Sequence, residues 1–99
     1  MDTLTVALPV LELHQGMLAS GFLREVPYLI NVNGHVDSAS CLREAASAVA
    51  RGRGSVSLTV TTIGARALAR TCRAAIGDTY PDNPAIPVLA AIADACEAA

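Results

Sequence analysis

Residues 28–62 read YLINVNGHVDSASCLREAASAVARGRGSVSLTVTT, and this stretch decides the predicted fold. β-forming residues are concentrated at its two ends, in Tyr28–Val32 and in Ser55–Thr61. The residues between them favour a helix of about four turns. A strand, a helix and a second strand in this order predict a central βαβ unit, whose crossover we expect to be right-handed.

The predicted helix of this unit has recognisable ends. Asp37 or Ser38 can cap its start by accepting a hydrogen bond from a free backbone N–H. Gly52 and Gly54, within the sequence RGRG, are expected to end it. Its buried stripe is predicted to consist of Leu42, Ala45, Ala46 and Val49.

The segment before this unit allows two interpretations. Apolar and polar residues alternate over Thr3–Leu8, which predicts a short strand. Pro9 suits the first turn of a helix that extends to Phe22, and Arg24–Pro27 breaks that helix. The alternative is one helix from Asp2 through Pro9.

The segment after the unit predicts two more helices. The first covers roughly Thr62–Ile76. Asn83 can cap the second, Pro84 takes its first position, and Ala85–Glu97 continues it. Most of the circumference of this last helix is apolar, so we expect it to be buried under other elements or to form an oligomer interface.

These elements predict one small domain over residues 1–99, of the α/β or α+β class. We expect two layers, with about three strands around the βαβ unit and about four helices. The strand Ser55–Thr61 alternates strictly, so its Ser/Thr side should be exposed. An all-α fold is the fallback.

Composition restricts the function classes. Hydrophobic residues make up 53% of the chain and charged residues 16%, which excludes a disordered chain. Aromatic residues make up 3%, so few side chains are available on which nucleic-acid bases could stack. No apolar run is long enough to span a bilayer, and the first residues, with Asp2, lack the basic region of a signal peptide, so we expect a cytoplasmic protein without membrane contact.

The spacing of the cysteines and glycines predicts neither a cofactor site nor a metal site. Cys41, Cys72 and Cys96 are widely separated, and each falls on or beside an apolar helix face, so we expect buried thiols in a reducing compartment. With two histidines they lack the paired spacing of a zinc site. The glycines of RGRG follow a helix rather than a strand, so they do not form a phosphate-binding loop.

The most reactive sequence cluster is His35-Val36-Asp37-Ser38, with Cys41 one turn on. A thiolate near a helix N-terminus can have a lowered pKa, and an imidazole nearby could act as its base. Cys41 and His35 are therefore the candidate residues of a cysteine-dependent enzyme, which is an alternative function. His14 lies among apolar helical neighbours and is expected to be packed or exposed at the helix edge rather than a ligand.

The charge distribution suggests a binding function. Residues 43–73 contain six arginines and one glutamate, whereas both flanking segments are acidic. We therefore expect a small non-enzymatic binding module or regulator, of the adaptor or inhibitor type, that presents arginines to an acidic protein surface. A nucleic-acid-associated regulator is an alternative, and a homo-dimer is possible. The predicted partner-binding residues are Arg51, Arg53, Arg66, Arg70 and Arg73.

The run NGHVDSASCLREAASAVARGRGSVSLTV followed by TTIGARALA resembles the STAS domain, the anti-sigma-factor-antagonist module. In that family a G-x-x-D turn precedes a helix, a strand follows, and a D-S-S-G-like turn opens the next helix. Residues 61–64 would occupy the phosphorylation turn but lack its aspartate. No functional residue is carried over from the resemblance.

Overall fold

The computed structural model describes residues 2–29 and 36–98. Four helices and a two-stranded antiparallel sheet give a small α+β domain. The predicted number of helices is confirmed for this part of the chain, whereas the third strand is not. The elements in chain order are β1 Asp2–Ala7, α1 Leu13–Leu29, α2 Val36–Ala50, β2 Ser55–Val60, α3 Thr62–Gly77 and α4 Ile86–Ala98.

The sheet follows the alternation of apolar and polar residues. β1 pairs with β2 so that Val6 lies opposite Val56 and Leu4 opposite Leu58. Val6 and Leu58 are buried, whereas the serines of β2 are exposed. The predicted exposure of the Ser/Thr side of this strand is therefore confirmed, and so is the strand in Thr3–Leu8. The alternative helix from Asp2 through Pro9 is wrong.

The predicted strand Tyr28–Val32 is wrong at its start, because Tyr28 and Leu29 end α1. Residues 30–32 lie outside the described part of the chain. The predicted break at Arg24–Pro27 is also wrong, since α1 continues through Pro27. Leu23 and Val26 are fully buried one helical turn apart, and this burial offsets the single backbone hydrogen bond that a proline near the helix end removes.

The strand pairing differs from the predicted βαβ unit. The partner of β2 is β1, which runs antiparallel to it, and both α1 and α2 lie between them in sequence. Residues 2–29 and 36–98 contain no parallel strand pair, so the right-handed crossover is not observed there. α1 packs on α2 and α3 packs on α4. All four helices contribute to the core that covers the apolar side of the sheet.

The turn between α2 and β2 is fixed by Gly52, as the sequence predicted. Its φ of 70° is in the left-handed region that glycine adopts without strain. The Arg53 N–H donates to the Ala48 carbonyl at 3.0 Å and the Gly52 N–H to the Val49 carbonyl at 3.1 Å. These two bonds form a Schellman motif, which places the side chains on either side of Gly52 at the end of α2.

The helix starts test three predicted caps. Asn83 Oδ1 accepts a hydrogen bond from the Ala85 N–H at 2.9 Å, so the predicted cap of the last helix is confirmed. α2 begins at Val36, before Asp37 and Ser38. The Ser38 hydroxyl is fully buried and has no hydrogen-bond partner in the described residues, so its predicted capping role is wrong.

A candidate anion-binding groove

An open groove of about 810 Å³ lies beside α2 and β2, and four arginines line it. They come from two segments that are separate in sequence. α1 supplies Arg24, α2 supplies Arg43, and the end of α2 with its Schellman turn supplies Arg51 and Arg53. The remaining lining residues are Ser40, Glu44, Ser47, Ala48, Ser55, Val56 and Ser57.

The polar stripe of α2 forms one wall of the groove. Ser40, Glu44, Ser47 and Arg51 recur at spacings of four, three and four residues, so they share one face of the helix. The opposite face packs into the core, as the buried Leu42, Ala45, Ala46 and Val49 show. This confirms the predicted buried stripe, and burial of that stripe is what turns the polar stripe outward.

The other wall is the outer edge of β2, which β1 does not cover. The Leu8 N–H donates to the Gly54 carbonyl at 2.9 Å and continues the pairing register by one pair. In an antiparallel ladder, hydrogen-bonded and non-hydrogen-bonded pairs alternate. The pairs made by Ser55 and Ser57 are therefore non-hydrogen-bonded, and their N–H and C=O groups point away from β1.

Contact with α2 supports this assignment of the outer edge. Thr59 belongs to the same alternating set, and its carbonyl accepts a hydrogen bond from the Cys41 thiol of α2 at 3.9 Å. Ser55, Val56 and Ser57 all line the groove although successive side chains point to opposite faces of a strand. The groove therefore follows the edge of β2 rather than one of its faces.

The groove carries an excess of positive charge. Of the described residues that line it, Glu44 is the single acidic one, against four arginines. Arg24 donates a hydrogen bond from Nη2 to the Ser47 hydroxyl at 3.1 Å, which fixes one guanidinium above α2. Among the carboxylates whose side chains the structure describes, none lies at ion-pair distance from these four arginines. The described carboxylates therefore leave the charge of these guanidinium groups unpaired.

Arg66, Arg70 and Arg73 form a second surface, which we call the α3 face. They line a separate groove of about 570 Å³ together with Glu97 of α4. Arg73 Nη2 lies 2.6 Å from Asp94 Oδ1 and 2.5 Å from Glu97 Oε1. Hydrogen bonds to Glu97 and then to Asp94 raise the pKa of Arg73 above its usual range. One arginine of this face is thus neutralised within the chain.

The five arginines predicted to bind a partner are divided between these two surfaces. Arg51 and Arg53 lie in the groove beside α2, and the other three form the α3 face. The prediction missed Arg24 and Arg43. Arg43 precedes Arg51 by eight residues, or about two helical turns, so the spacing alone could have indicated that both lie near one side of the predicted helix. No sequence pattern indicated Arg24, because only the packing of α1 on α2 brings it to the groove.

All three cysteines are buried, and none forms a disulfide bond in the described structure. Burial raises the pKa of the Cys72 thiol to about 12, with a further contribution from Cys96. Burial also raises the pKa of Cys96, and Glu97 adds to the effect. The prediction of buried thiols is confirmed. Cys41 is only 5% exposed, and His35, its predicted base, lies outside the described residues.

Other predicted features have simple structural outcomes. His14 is exposed on the first turn of α1. Over the ranges 2–29 and 36–98, no group of three His, Cys, Asp or Glu side chains is arranged to hold a metal ion. The apolar side of α4 is used inside the chain, with Val88, Leu89 and Ile92 fully buried, so the first alternative predicted for this helix is confirmed. None of the described helices combines the length and apolarity that crossing a membrane requires.

No protein-family model, curated protein or solved structure matches this chain. The resemblance to the STAS domain therefore has no support from these comparisons. The candidate function rests on the geometry and charge of the two arginine surfaces.

Proposed function

We propose that this chain is a small non-enzymatic binding module, of the adaptor or inhibitor type, that recognises an acidic protein partner through the groove beside α2. One observation carries the proposal. Arg24, Arg43, Arg51 and Arg53 line a single open groove, and no described carboxylate forms an ion pair with any of them.

The chemistry of arginine favours carboxylates as the ligand. A guanidinium group is planar and presents a fork of N–H donors that matches the two oxygens of a carboxylate. The hydroxyls of Ser40 and Ser47 lie in the same groove and can donate further hydrogen bonds to an anion. Because the groove is open, it suits a protein segment better than an enclosed small molecule.

The alternative of a nucleic-acid partner is less well supported. The chain has a formal net charge of −2 and a pI near 5.5. The groove has no aromatic lining residue on which a base could stack.

The alternative of a cysteine-dependent enzyme is disfavoured by access. Cys41 is a buried residue of α2, and its thiol already donates to the Thr59 carbonyl. A substrate would have to displace packed core residues to reach the sulfur. The absence of a disulfide among three buried thiols suits a reducing compartment, so the proposal places the protein in the cytoplasm.

The α3 face has a secondary role in this proposal. Arg66 and Arg70 are exposed and form no ion pair with a described carboxylate, so they can extend the contact with a large acidic partner. A homo-dimer through α4 is disfavoured, because the apolar side of that helix is buried within the chain.

The test is recovery of partners from the source cell with two matched variants. Arg51→Glu/Arg53→Glu reverses two charges in the groove, and Arg66→Glu/Arg70→Glu reverses two on the α3 face. We expect the first variant to lose an acidic partner that the wild-type protein and the second variant retain. Equal recovery by all three proteins would show that the groove does not bind it. Recovery of nucleic acid instead of protein would favour the alternative.

A further inference from the structure

We propose that the groove binds an extended acidic segment of the partner, which adds to the sheet as a third strand along the outer edge of β2. This inference rests on the proposed function and specifies how the partner is held. Backbone groups of β2 would give affinity, and the arginines would select acidic side chains.

The pairing register leaves the required backbone groups facing the groove. Ser55 and Ser57 form non-hydrogen-bonded pairs with Ala7 and Thr5, so their N–H and C=O groups point outward. Ser55 and Ser57 are two residues apart, and each offers one N–H donor and one C=O acceptor. An added antiparallel strand forms its hydrogen bonds at this two-residue spacing. Neither N–H donates to a described residue.

Both ends of this open edge are closed, which limits its length. At one end, the Arg53 N–H, which belongs to the same outward-pointing set, donates to the Ala48 carbonyl. At the other end, the Thr59 carbonyl accepts the hydrogen bond from Cys41. The added strand therefore pairs with Ser55–Ser57 only, and the side-chain contacts must supply the remaining affinity.

Charge identifies the occupant. Side chains of an added strand point alternately to its two faces, and one of these faces would meet the arginines of the groove. A segment with Asp or Glu at alternate positions fits this arrangement. A second copy of this chain does not, because pairing two β2 edges would bring two arginine-lined grooves together.

The probe is a short peptide of alternating glutamate and valine. The test compares two proline substitutions, one in each member of the pair formed by Thr5 and Ser57. Ser57→Pro removes an N–H that faces the groove. Thr5→Pro is its matched control, because it removes the corresponding N–H at the opposite edge of the sheet. Neither proline removes a hydrogen bond between β1 and β2, so the fold should tolerate both.

We expect Ser57→Pro to weaken binding of the peptide about tenfold and Thr5→Pro to leave it unchanged. Amide hydrogen exchange of the wild-type protein gives a readout that needs no variant. Binding should slow exchange of the Ser57 N–H, whereas the Leu58 N–H already bonds to β1 and should change little. This second measurement still decides the question if the Ser57→Pro protein does not fold.

The outcomes separate this inference from the proposed function. If the peptide binds but neither Ser57→Pro nor Ser57 exchange shows an effect, strand addition is wrong and binding by charge stands. If the wild-type protein binds no acidic peptide or protein, the proposed function fails, and this inference fails with it. Self-association that Ser57→Pro abolishes would show that a second copy occupies the edge, which also overturns the inference.

Discussion

The groove beside α2 and the α3 face each contain clustered arginines, but they differ in what the rest of the chain does to them. α4 packs on α3 and brings Asp94 and Glu97 to Arg73. Among the described residues that line the groove, Glu44 is the single acidic one, and no described ion pair joins it to the arginines there. Clustering of arginines in sequence therefore does not determine which of them remain available. The neighbouring helix determines it.

The packing of α3 on α4 should make the stability of the chain sensitive to alkali, and this is the largest effect that we expect. The thiols of Cys72 and Cys96 lie on α3 and α4, and both have raised pKa values. The Cys72 pKa is about 12 in the folded chain against an ordinary value of 9.0. Above pH 9.0 the unfolded chain loses this proton while the folded chain retains it, so stability falls as the pH approaches about 12.

The loss from Cys72 should reach up to about 4 kcal/mol, from three pKa units at about 1.4 kcal/mol each. Denaturant unfolding across this alkaline range measures it. The Cys72→Ala protein is less stable at neutral pH but should lose less stability as the pH rises. Parallel pH profiles for the two proteins would contradict the prediction.

Reversing the charges of the two groove arginines that the sequence prediction missed gives the next largest effect. We expect Arg24→Glu/Arg43→Glu to weaken binding of an acidic peptide about a hundredfold, because attraction becomes repulsion at two positions. Titration calorimetry with Arg66→Glu/Arg70→Glu as the matched control measures the difference. If both variants lose the same affinity, net charge rather than the groove controls binding.

The turn that positions Arg51 and Arg53 should be sensitive to substitution. Gly52→Ala places a side chain at φ 70° and should cost about 1–2 kcal/mol of stability. Gly54→Ala is the control, because Gly54 lies in open space without a positive φ. Thermal unfolding compares them, and equal stability of the two variants would show that the Schellman turn is not constrained.

Removing the acidic partners of Arg73 should make the α3 face more similar to the groove. Its effect on the affinity for an acidic peptide is the smallest that we expect. Asp94→Asn/Glu97→Gln removes both ion-pair partners, and we expect affinity for the acidic peptide to rise about threefold. Asp78→Asn/Asp82→Asn makes the same change in net charge away from Arg73. An equal rise in both variants would assign the effect to net charge alone.

Local sequence determined the elements that need only local rules. Alternation identified β1 and β2, because side chains of a strand point alternately to its two faces. Helical spacing located α3, and Asn83 located the start of α4 to within two residues, since capping depends on neighbours in sequence. Gly52 marked the end of α2 for the same reason.

Tertiary packing decided the rest. Pro27 and the β-forming residues after it predicted a strand, but burial of Leu23 and Val26 against the core extends α1 through this position. The antiparallel pairing of β2 with β1 is a contact between the two halves of the chain, which local patterns do not specify. The sequence alone showed that arginines are clustered. Only the packing of α1 on α2 and of α4 on α3 determined that Arg24 joins the groove and that Arg73 is neutralised, because ion pairs form between residues that folding brings together.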